Sequence, residues 1–345
     1  LVPAYQKLLY QSSPAIAAAR SVMTIHNMAY QGLFWHWDML LTGLDWKYFN
    51  WQQMEFHQQL NLLKTGIVFA DAVSTVSPTY AREIQRSPGG CGLEGLLASR
   101  AAELTGIVNG IDTAAWNPAT DPHIPRTYGE SDVADGKYAA RVALAARLGH
   151  AAPAARPLVA FVSRLAAQKG VELVVELIGR LAGTGRVQFV VLGTGDGAHE
   201  EALRRAAAAF PGAVDLVIGF DEPLAHLVQA AADITLVPSL YEPCGLTQLY
   251  AQRYGAIPVV RRTGGLADTV VDTTPETLRD GRASGFVFDS FDAGSLLDAV
   301  ERALGAHADA ALWTGLVRHD MRQDWSWDTS AREYLRLFER ARAGA

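Results

Sequence analysis

Two basic side chains lie close together near the middle of the chain, between a predicted strand and a predicted helix. They are Arg164 and Lys169, within Ser163-Arg-Leu-Ala-Ala-Gln-Lys-Gly170. Free N–H groups at a helix start add to these charges, and the carboxyl ends of parallel strands are where α/β proteins bind ligands. Arginine can grip phosphate oxygens with two parallel hydrogen bonds, and lysine adds a point charge. The segment predicts a diphosphate site; a surface loop with solvated charges is the alternative.

A carboxylate follows a later strand, in the stretch Ser239-Leu-Tyr-Glu-Pro-Cys-Gly-Leu-Thr-Gln248. Glu242 is held by a proline, and Gly245 lets backbone N–H groups face a ligand. Such a carboxylate can hold sugar hydroxyls or oppose positive charge that develops at an anomeric carbon. Simple helix capping by Glu242 is the alternative interpretation.

Two glycine-rich turns and one polar pair also follow predicted strands. Gly193-Thr-Gly-Asp-Gly197 resembles a nucleotide loop, but it lacks the full dinucleotide fingerprint and follows the second strand of its domain, which disfavours NAD. Arg261-Arg-Thr-Gly-Gly-Leu-Ala-Asp268 repeats the pattern one unit later, and a structural turn explains either segment as well. His26 and Asn27 end an early apolar strand, where α/β proteins place polar site groups, although a lone histidine is more often structural.

The elements that must position these residues follow an alternating pattern from residue 158 onward. Short apolar runs alternate with amphipathic stretches, as in a parallel sheet wrapped by helices. The predicted strands are 158–163, 187–192, 214–218, 234–237 and 257–261, and the predicted helices include 137–148, 171–181 and 198–209. In the first half, strands are predicted at 22–25 and 72–76, and helical spacing covers 52–69.

The same pattern predicts an α/β protein with three parts. They are a partial first domain at 1–150, a complete doubly wound domain at 151–325, and a C-terminal helix at 326–345 that packs back on the first domain. The Pro- and Gly-rich segment 118–135 and the Pro-Ala segment 151–157 are the expected linkers.

Composition excludes several classes of function. The net charge of −6 over 345 residues, without a basic run, argues against a nucleic-acid partner. Cys91 and Cys244, the only cysteines, lie far apart and predict neither a disulfide nor a zinc site. No apolar stretch approaches the roughly 18 residues of a membrane span. We therefore expect a soluble cytoplasmic protein.

Five motifs together resemble the bacterial glycogen synthase and plant starch synthase family, in order and over essentially the whole chain. They are TIHNMAYQG, SRLAAQKG, LGTGD, YEPCGLTQ and RRTGGLADTV, and GGCGLEGLL, IVNGID, IGFDE and WSWD also match. The resemblance implies a GT-B fold, two Rossmann-like domains with the active site in the cleft between them. It also implies transfer of glucose from ADP-glucose to the non-reducing end of an α-1,4-glucan, with retention and without a metal or cofactor.

The resemblance also assigns roles by position. Arg164 and Lys169 would hold the diphosphate, Glu242 would act at the sugar, and His26 and Asn27 would reach the glucose. The other implied substrate contacts are Cys244, Gly245 and Leu246 at the glucosyl pocket, Thr247 near the phosphates, Phe220 on adenine, and Asn109, Gly193, Gly195, Gly264 and Gly265. Tyr250 stands where wider GT-B relatives carry a second glutamate, which favours the synthase branch.

The sequence departs from the family at its start. The family's Lys-Thr-Gly-Gly-Leu loop and Asp-Trp-His segment do not occur there. We therefore expect an N-terminally truncated synthase, prone to aggregate through open strand edges, and a fragment from about residue 156 that folds alone and binds ADP weakly. A transferase that uses UDP-glucose and an inactive nucleotide- or glucan-binding remnant are the alternatives.

Overall fold

The chain forms two compact units in a computed structural model that describes Leu1–Gly344. The first unit is Leu1–Asn109 together with the stretch from Asp328 onward, and the second is Gly110–Trp327. No helix among the described residues is long and apolar enough to cross a membrane.

The first unit is built around a parallel sheet of three strands in the order β1-β5-β6. The strands β1 and β5 match the predicted ones, except that β5 ends one residue earlier. The helices of this unit are α1 (Val2–Leu8), α2 (Pro14–Ala18), α3 (Leu62–Phe69), α4 (Pro78–Glu83), α5 (Glu94–Ser99) and the C-terminal α15 (Trp327–Ala343), and its strands are β1 (Val22–Ile25), β2 (Leu33–Trp35), β3 (Glu55–Phe56), β4 (Gln59–Asn61), β5 (Ala72–Thr75) and β6 (Leu104–Gly106).

The predicted helical segment 52–69 is helical only in its second half. Its first half forms the hairpin β3–β4, whose two turn residues His57 and Gln58 have positive φ. This hairpin and β2 form a separate, antiparallel sheet in the order β2-β4-β3. The helix α3 starts only after Asn61, whose side chain accepts a hydrogen bond from the backbone N–H of Lys64. Helical spacing alone does not detect this break, because the turn and the cap depend on local backbone geometry.

The C-terminal helix α15 packs within the first unit. Leu337 and Ala341 are buried in a cluster with Ala72 and Ile107, on β5 and after β6. The Ser330 hydroxyl also donates a hydrogen bond to the Val108 carbonyl.

The second unit is a doubly wound α/β domain with six parallel strands in the order β12-β11-β10-β7-β8-β9. Nearly every residue of the central strands β7 and β10 is buried, so both faces of the sheet are covered. Its strands are β7 (Leu158–Val162), β8 (Gln188–Gly193), β9 (Val214–Ile218), β10 (Ile234–Val237), β11 (Ile257–Arg261) and β12 (Phe286–Phe288). The helices are α6 (Val133–Arg147), α7 (Val171–Leu181), α8 (Gly197–Ala209), α9 (Glu222–Ala231), α10 (Thr247–Arg253), α11 (Gly264–Thr269), α12 (Pro275–Arg279), α13 (Ala293–His307) and α14 (Ala310–Met321).

The five predicted strands of this domain are confirmed to within one residue at each end, and β12 was not predicted. The predicted helix 137–148 starts four residues earlier, at Val133. The segment 118–135 is not an exposed linker, because Ile124 and Tyr128 are buried in the core of the second unit and the Tyr128 hydroxyl donates to the Tyr254 carbonyl at 2.9 Å. The second unit therefore begins at Gly110, about 40 residues before the predicted boundary.

Candidate functional site

The sheet of the second unit reverses its order between β7 and β10. In doubly wound proteins the crevice at the carboxyl ends of the two strands that flank such a reversal is the usual ligand site. Lys169 follows β7, Glu242 follows β10, and Lys169 Nζ lies 2.5 Å from Glu242 Oε2. The Ser239 hydroxyl donates to the same oxygen at 2.8 Å. The fold thus joins two predicted site residues into a partly buried ion pair.

The backbone fixes the position of this pair. Gly170 adopts a left-handed φ of 71°, and a Cβ there would lie 2.3 Å from the Pro238 carbonyl oxygen. The Leu240 N–H donates to the Gln168 carbonyl at 2.8 Å, and the Gln168 side-chain amide donates to the Tyr241 carbonyl at 3.1 Å. The loops after β7 and β10 are therefore tied together on both sides of Lys169.

The predicted glycines act by allowing close contact between backbones. A Cβ on Gly193 would lie 1.9 Å from the Ser163 carbonyl oxygen, and one on Gly195 would lie 2.2 Å from that of Leu165. Such distances exclude any side chain, so these glycines let the loop after β8 lie directly against the loop that carries Arg164.

The second glycine pair has the same role beside Glu242. A Cβ on Gly264 would lie 1.9 Å from the Glu242 carbonyl oxygen, and one on Gly265 would lie 2.0 Å from that of Cys244. The Gly265 N–H donates to the Glu242 carbonyl at 3.0 Å. The structure therefore places Gly264 and Gly265 as supports of the carboxylate loop.

The rest of that loop leads into α10. Gly245 has a left-handed φ of 73°, Cys244 is buried, Leu246 is exposed, and Thr247 is the first residue of α10. These predicted sugar and phosphate contacts therefore follow Glu242 on one continuous loop.

A cavity of about 640 Å³ opens at the carboxyl ends of β7, β8 and β9. It brings together the predicted residues Arg164, Gly193, Gly195 and Phe220. Its other lining residues are Trp116, Val162, Ser163, Leu192, Thr194, Gly219, Asp221, Glu222, Ala225 and Tyr250. The volume lies in the range of about 300–1,000 Å³ that is typical of small-molecule sites.

The walls of the cavity differ in chemistry. Arg164 is exposed and donates to the Gln168 side-chain oxygen at 3.2 Å, which keeps its guanidinium beside the loop that follows β7. Phe220 is 89% exposed, so its ring face is open to a ligand. Asp221 and Glu222 add carboxylates at the start of α9. The cavity therefore combines a basic end with an aromatic and acidic one.

Two aromatic lining residues were not among the substrate contacts predicted from the sequence. Trp116 comes from the segment that follows IVNGID, and Tyr250 lies on α10. Their rings stack with centroids 3.9 Å apart and planes within 15°. No spacing pattern relates residues 134 positions apart, so only the fold shows this contact.

Three predicted site residues belong to the first unit. His26 is exposed at the end of β1, and the Asn27 side-chain oxygen accepts a hydrogen bond from the Ala29 N–H at 2.9 Å. The side-chain oxygen of Asn109 is buried and finds no partner within Leu1–Gly344. Between Leu1 and Gly344 there is also no group of three His, Cys, Asp or Glu side chains that could hold a metal ion.

Comparison with known families identifies both halves of the chain. The starch synthase catalytic domain family matches residues 1–99, and the group 1 glycosyl transferase family matches residues 146–311. The chain is 49% identical to a glycogen synthase from Anaeromyxobacter sp. (strain Fw109-5), over 98% of its own length and 70% of that protein. It is 48% identical to glycogen synthase 1 of Methylococcus capsulatus, over 94% of its own length and 65% of that protein.

A solved structure is similar over nearly the whole chain. The catalytic domain of starch synthase IV from Arabidopsis thaliana, bound to ADP and acarbose, is 37% identical with a TM-score of 0.91. The alignment covers 99% of this chain and 70% of that one.

Proposed function

The chain belongs to the family of glycogen and starch synthases, retaining glucosyltransferases of the GT-B fold, and we propose that its second unit binds the ADP-glucose from which glucose passes to an α-1,4-glucan. One observation carries the residue assignment: the Lys169–Glu242 pair and the 640 Å³ cavity share the carboxyl edge of one sheet. A sugar nucleotide needs both a polar pocket for its sugar and a larger cavity for its nucleoside. The order of the strands places the two side by side.

The lining of the cavity suggests how the nucleotide lies in it. Adenine stacks on the open face of Phe220, and the carboxylate of Glu222 accepts hydrogen bonds from the ribose hydroxyls. The diphosphate lies toward Arg164 and the backbone of Gly193–Gly195, and reaches Lys169 at its outer phosphate. This orientation puts the anomeric carbon beside Glu242.

The proposed transfer is a substitution on one face of the sugar. The 4-hydroxyl of the glucan's terminal glucose attacks the anomeric carbon from the face that the diphosphate leaves. The bond from this carbon to the phosphate oxygen breaks, the new glycosidic bond forms, and the departing phosphate oxygen takes the hydroxyl proton. Negative charge therefore grows on ADP, where Arg164 and Lys169 stabilise it more strongly than in the ground state.

We assign Glu242 the role of an orienting group rather than that of a nucleophile. Its Oε2 already receives hydrogen bonds from Lys169 and Ser239, and its side chain is buried. A carboxylate held in this way can accept hydrogen bonds from sugar hydroxyls and oppose positive charge at the anomeric carbon. We also propose that the transfer needs no metal ion, because cationic side chains stand where a metal would balance the diphosphate.

The test is glucosyl transfer to a maltooligosaccharide, measured with ADP-glucose and with UDP-glucose, before and after exhaustive treatment with a chelator. We expect an α-1,4-extended product, a preference for ADP-glucose and no effect of the chelator. A preference for UDP-glucose would overturn the donor assignment. Calorimetry that detects ADP binding without any transfer would instead support a binding protein without catalytic activity.

A further inference from the structure

Three planar side chains form a stacked column that begins at the wall of the cavity. The Trp116 ring lies between Tyr250 on one face and His226 on the other, with centroid distances of 3.9 and 3.7 Å and interplanar angles of 15° in both contacts. Tyr250 comes from α10 and His226 from α9, so Trp116 joins two successive helices that lie more than 100 positions after it in the chain. Both faces of the indole are occupied.

The far end of the column is anchored by a buried carboxylate. His226 is 3% exposed, and its Nδ1 lies 2.7 Å from an oxygen of Asp121, which is 1% exposed. The Tyr254 hydroxyl donates to the same oxygen, and the His123 N–H donates to the other one at 2.8 Å. Because an ionised carboxylate only accepts hydrogen bonds, Nδ1 carries the proton and the imidazole has one fixed orientation.

The near end of the column faces the ligand space. Trp116 and Tyr250 line the cavity, whereas His226 and Asp121 do not. Burial and the neighbouring carboxylates of Asp112 and Glu222 raise the pKa of the Tyr250 phenol, which keeps its hydroxyl protonated. No residue of the described chain hydrogen-bonds to that hydroxyl, so it is available to a ligand.

We propose that Asp121 and His226 are positioning residues for the nucleoside half of the sugar nucleotide, which they support through Trp116 and the Tyr250 hydroxyl. The proposal rests on the nucleotide site described above. Neither residue touches the ligand. Instead, the hydrogen-bonded imidazole prevents the indole from moving back, and the indole keeps the phenol at the cavity wall. Preorganisation of this kind lowers the cost of ordering side chains when a ligand binds.

A positioning role and a role in core packing alone predict different effects on the affinities for ADP and pyrophosphate. The column borders the nucleoside part of the cavity, whereas the phosphate-binding groups lie on the loops after β7 and β8. A positioning role should therefore affect ADP and leave inorganic pyrophosphate unaffected. A general loss of stability would weaken the binding of both ligands.

The test compares His226→Leu and His226→Phe in the whole chain, with ADP and pyrophosphate affinities measured by calorimetry. Leucine removes the planar ring behind Trp116, and we expect ADP to bind about three- to tenfold more weakly, the range for a lost aromatic contact. Pyrophosphate affinity should not change. Phenylalanine restores the stack but not the hydrogen bond to Asp121, so ADP affinity should recover only in part. Tyr250→Phe, which keeps the stack and loses the hydroxyl, should also weaken the binding of ADP and leave that of pyrophosphate unchanged.

A matched control is Val228→Ala, which creates a cavity on the same helix, α9, on a different face from His226. It should lower the melting temperature and keep the ratio of ADP to pyrophosphate affinity. The proposal would be overturned if His226→Leu bound ADP as tightly as the wild type does. It would also be overturned if the variant lost affinity for ADP and for pyrophosphate to the same extent. If His226→Leu does not fold, His226→Phe takes its place, and an ADP affinity that falls no more than the pyrophosphate affinity would overturn the proposal. Absence of ADP binding in the wild type would instead refute the proposed nucleotide site.

Discussion

The ammonium group of Lys169 lies 2.5 Å from the carboxylate of Glu242, although the two residues are 73 positions apart in the chain. The side chain of Lys169 is 20% exposed and that of Glu242 is 8% exposed. A partly buried pair of this kind contributes little net stability, because the loss of hydration offsets much of the attraction between the charges. The pair lies at the reversal of the sheet order, where doubly wound proteins usually bind their ligands.

Substitutions of the two members of this pair are predicted to differ in their effect on ADP binding. Lys169→Ala removes a cation from the diphosphate and leaves Glu242 without a counter-charge, so ADP should bind more weakly. We expect glucosyl transfer to fall about 10²- to 10³-fold, the usual effect of removing a group that stabilises transition-state charge. Lys47→Ala, at an exposed lysine of the first unit, is the control and should change neither quantity.

Glu242→Gln keeps the shape of the side chain and removes its charge. Lys169 then has no anionic partner and attracts a diphosphate more strongly, so the affinity for ADP should stay the same or increase. Transfer should still fall by at least about tenfold, because a neutral amide opposes positive charge at the anomeric carbon poorly. Calorimetry and a transfer assay on the same preparation separate the two effects. Weaker ADP binding in Glu242→Gln would contradict this account of the pair.

Phe220 offers a test of the base-binding site with little risk to folding, because its side chain is 89% exposed. We expect Phe220→Ala to reduce ADP affinity by about 1–3 kcal/mol, the usual contribution of one aromatic side chain stacked on a base. Phe220→Tyr should retain the affinity, since it keeps the ring face. The control is Phe338→Ala on α15, at an exposed phenylalanine of the first unit. Unchanged ADP affinity in Phe220→Ala would show that the base lies elsewhere.

The glycines of the second unit are predicted to fall into two classes. Gly193→Ala forces a Cβ to within 1.9 Å of the Ser163 carbonyl oxygen and should destabilise the unit by about 2–4 kcal/mol. Gly179→Ala, in the last turn of α7 with no atom within 4 Å of the new Cβ, should stabilise it by about 0.5–1 kcal/mol. Urea unfolding followed by circular dichroism measures both changes. Similar midpoints for the two variants would rule out the close backbone contact.

Lys137 should make the stability of the second unit depend on pH. Burial lowers the pKa of its ammonium group to about 7, a direction that Arg141 reinforces and Asp233 opposes. The unfolded chain, with a lysine pKa near 10.4, therefore binds more protons than the folded chain above pH 7. Stability should then rise with pH from about 7 to 9, because the cost of a buried charge disappears as the folded state releases its proton.

Thermal melting of the wild type and of Lys137→Met over this pH range tests the prediction. Methionine has a similar length and no charge, so the rise with pH should be absent from this variant. A rise of the same size in both proteins would assign the pH dependence to another group. Lys64→Met is an additional control. Burial also lowers the pKa of Lys64, but this lysine lies in the first unit, so its replacement should leave the pH dependence of the second unit unchanged.

Much of the second unit could be predicted from local sequence. Its strands are short apolar runs bounded by turn residues, and its glycine turns and charged loops follow directly on those strands. Since parallel strands that alternate with helices share one carboxyl edge, the expectation that Arg164, Lys169 and Glu242 lie at that edge needs only their place in the pattern. The resemblance of the motifs to the family also indicated the type of reaction.

The structure of the first unit and the position of the domain boundary were harder to predict from the sequence. The hairpin β3–β4 interrupts a helical pattern at two residues of positive φ, a conformation that sequence periodicity does not encode. Residues 118–135 have the composition of a linker, yet Ile124 and Tyr128 are buried in the second unit. Composition describes how a segment is solvated when it stands alone, whereas burial depends on the surface against which it packs.

The sequence by itself determined which residues could do chemistry, because type, charge and position after a strand are local properties. Only the tertiary structure decided which of these residues meet. The Lys169–Glu242 contact depends on the crossing from β7 to β10, and the column of Tyr250, Trp116 and His226 joins three separate segments. Such contacts are formed by packing between distant parts of the chain, and no spacing within a single segment records them.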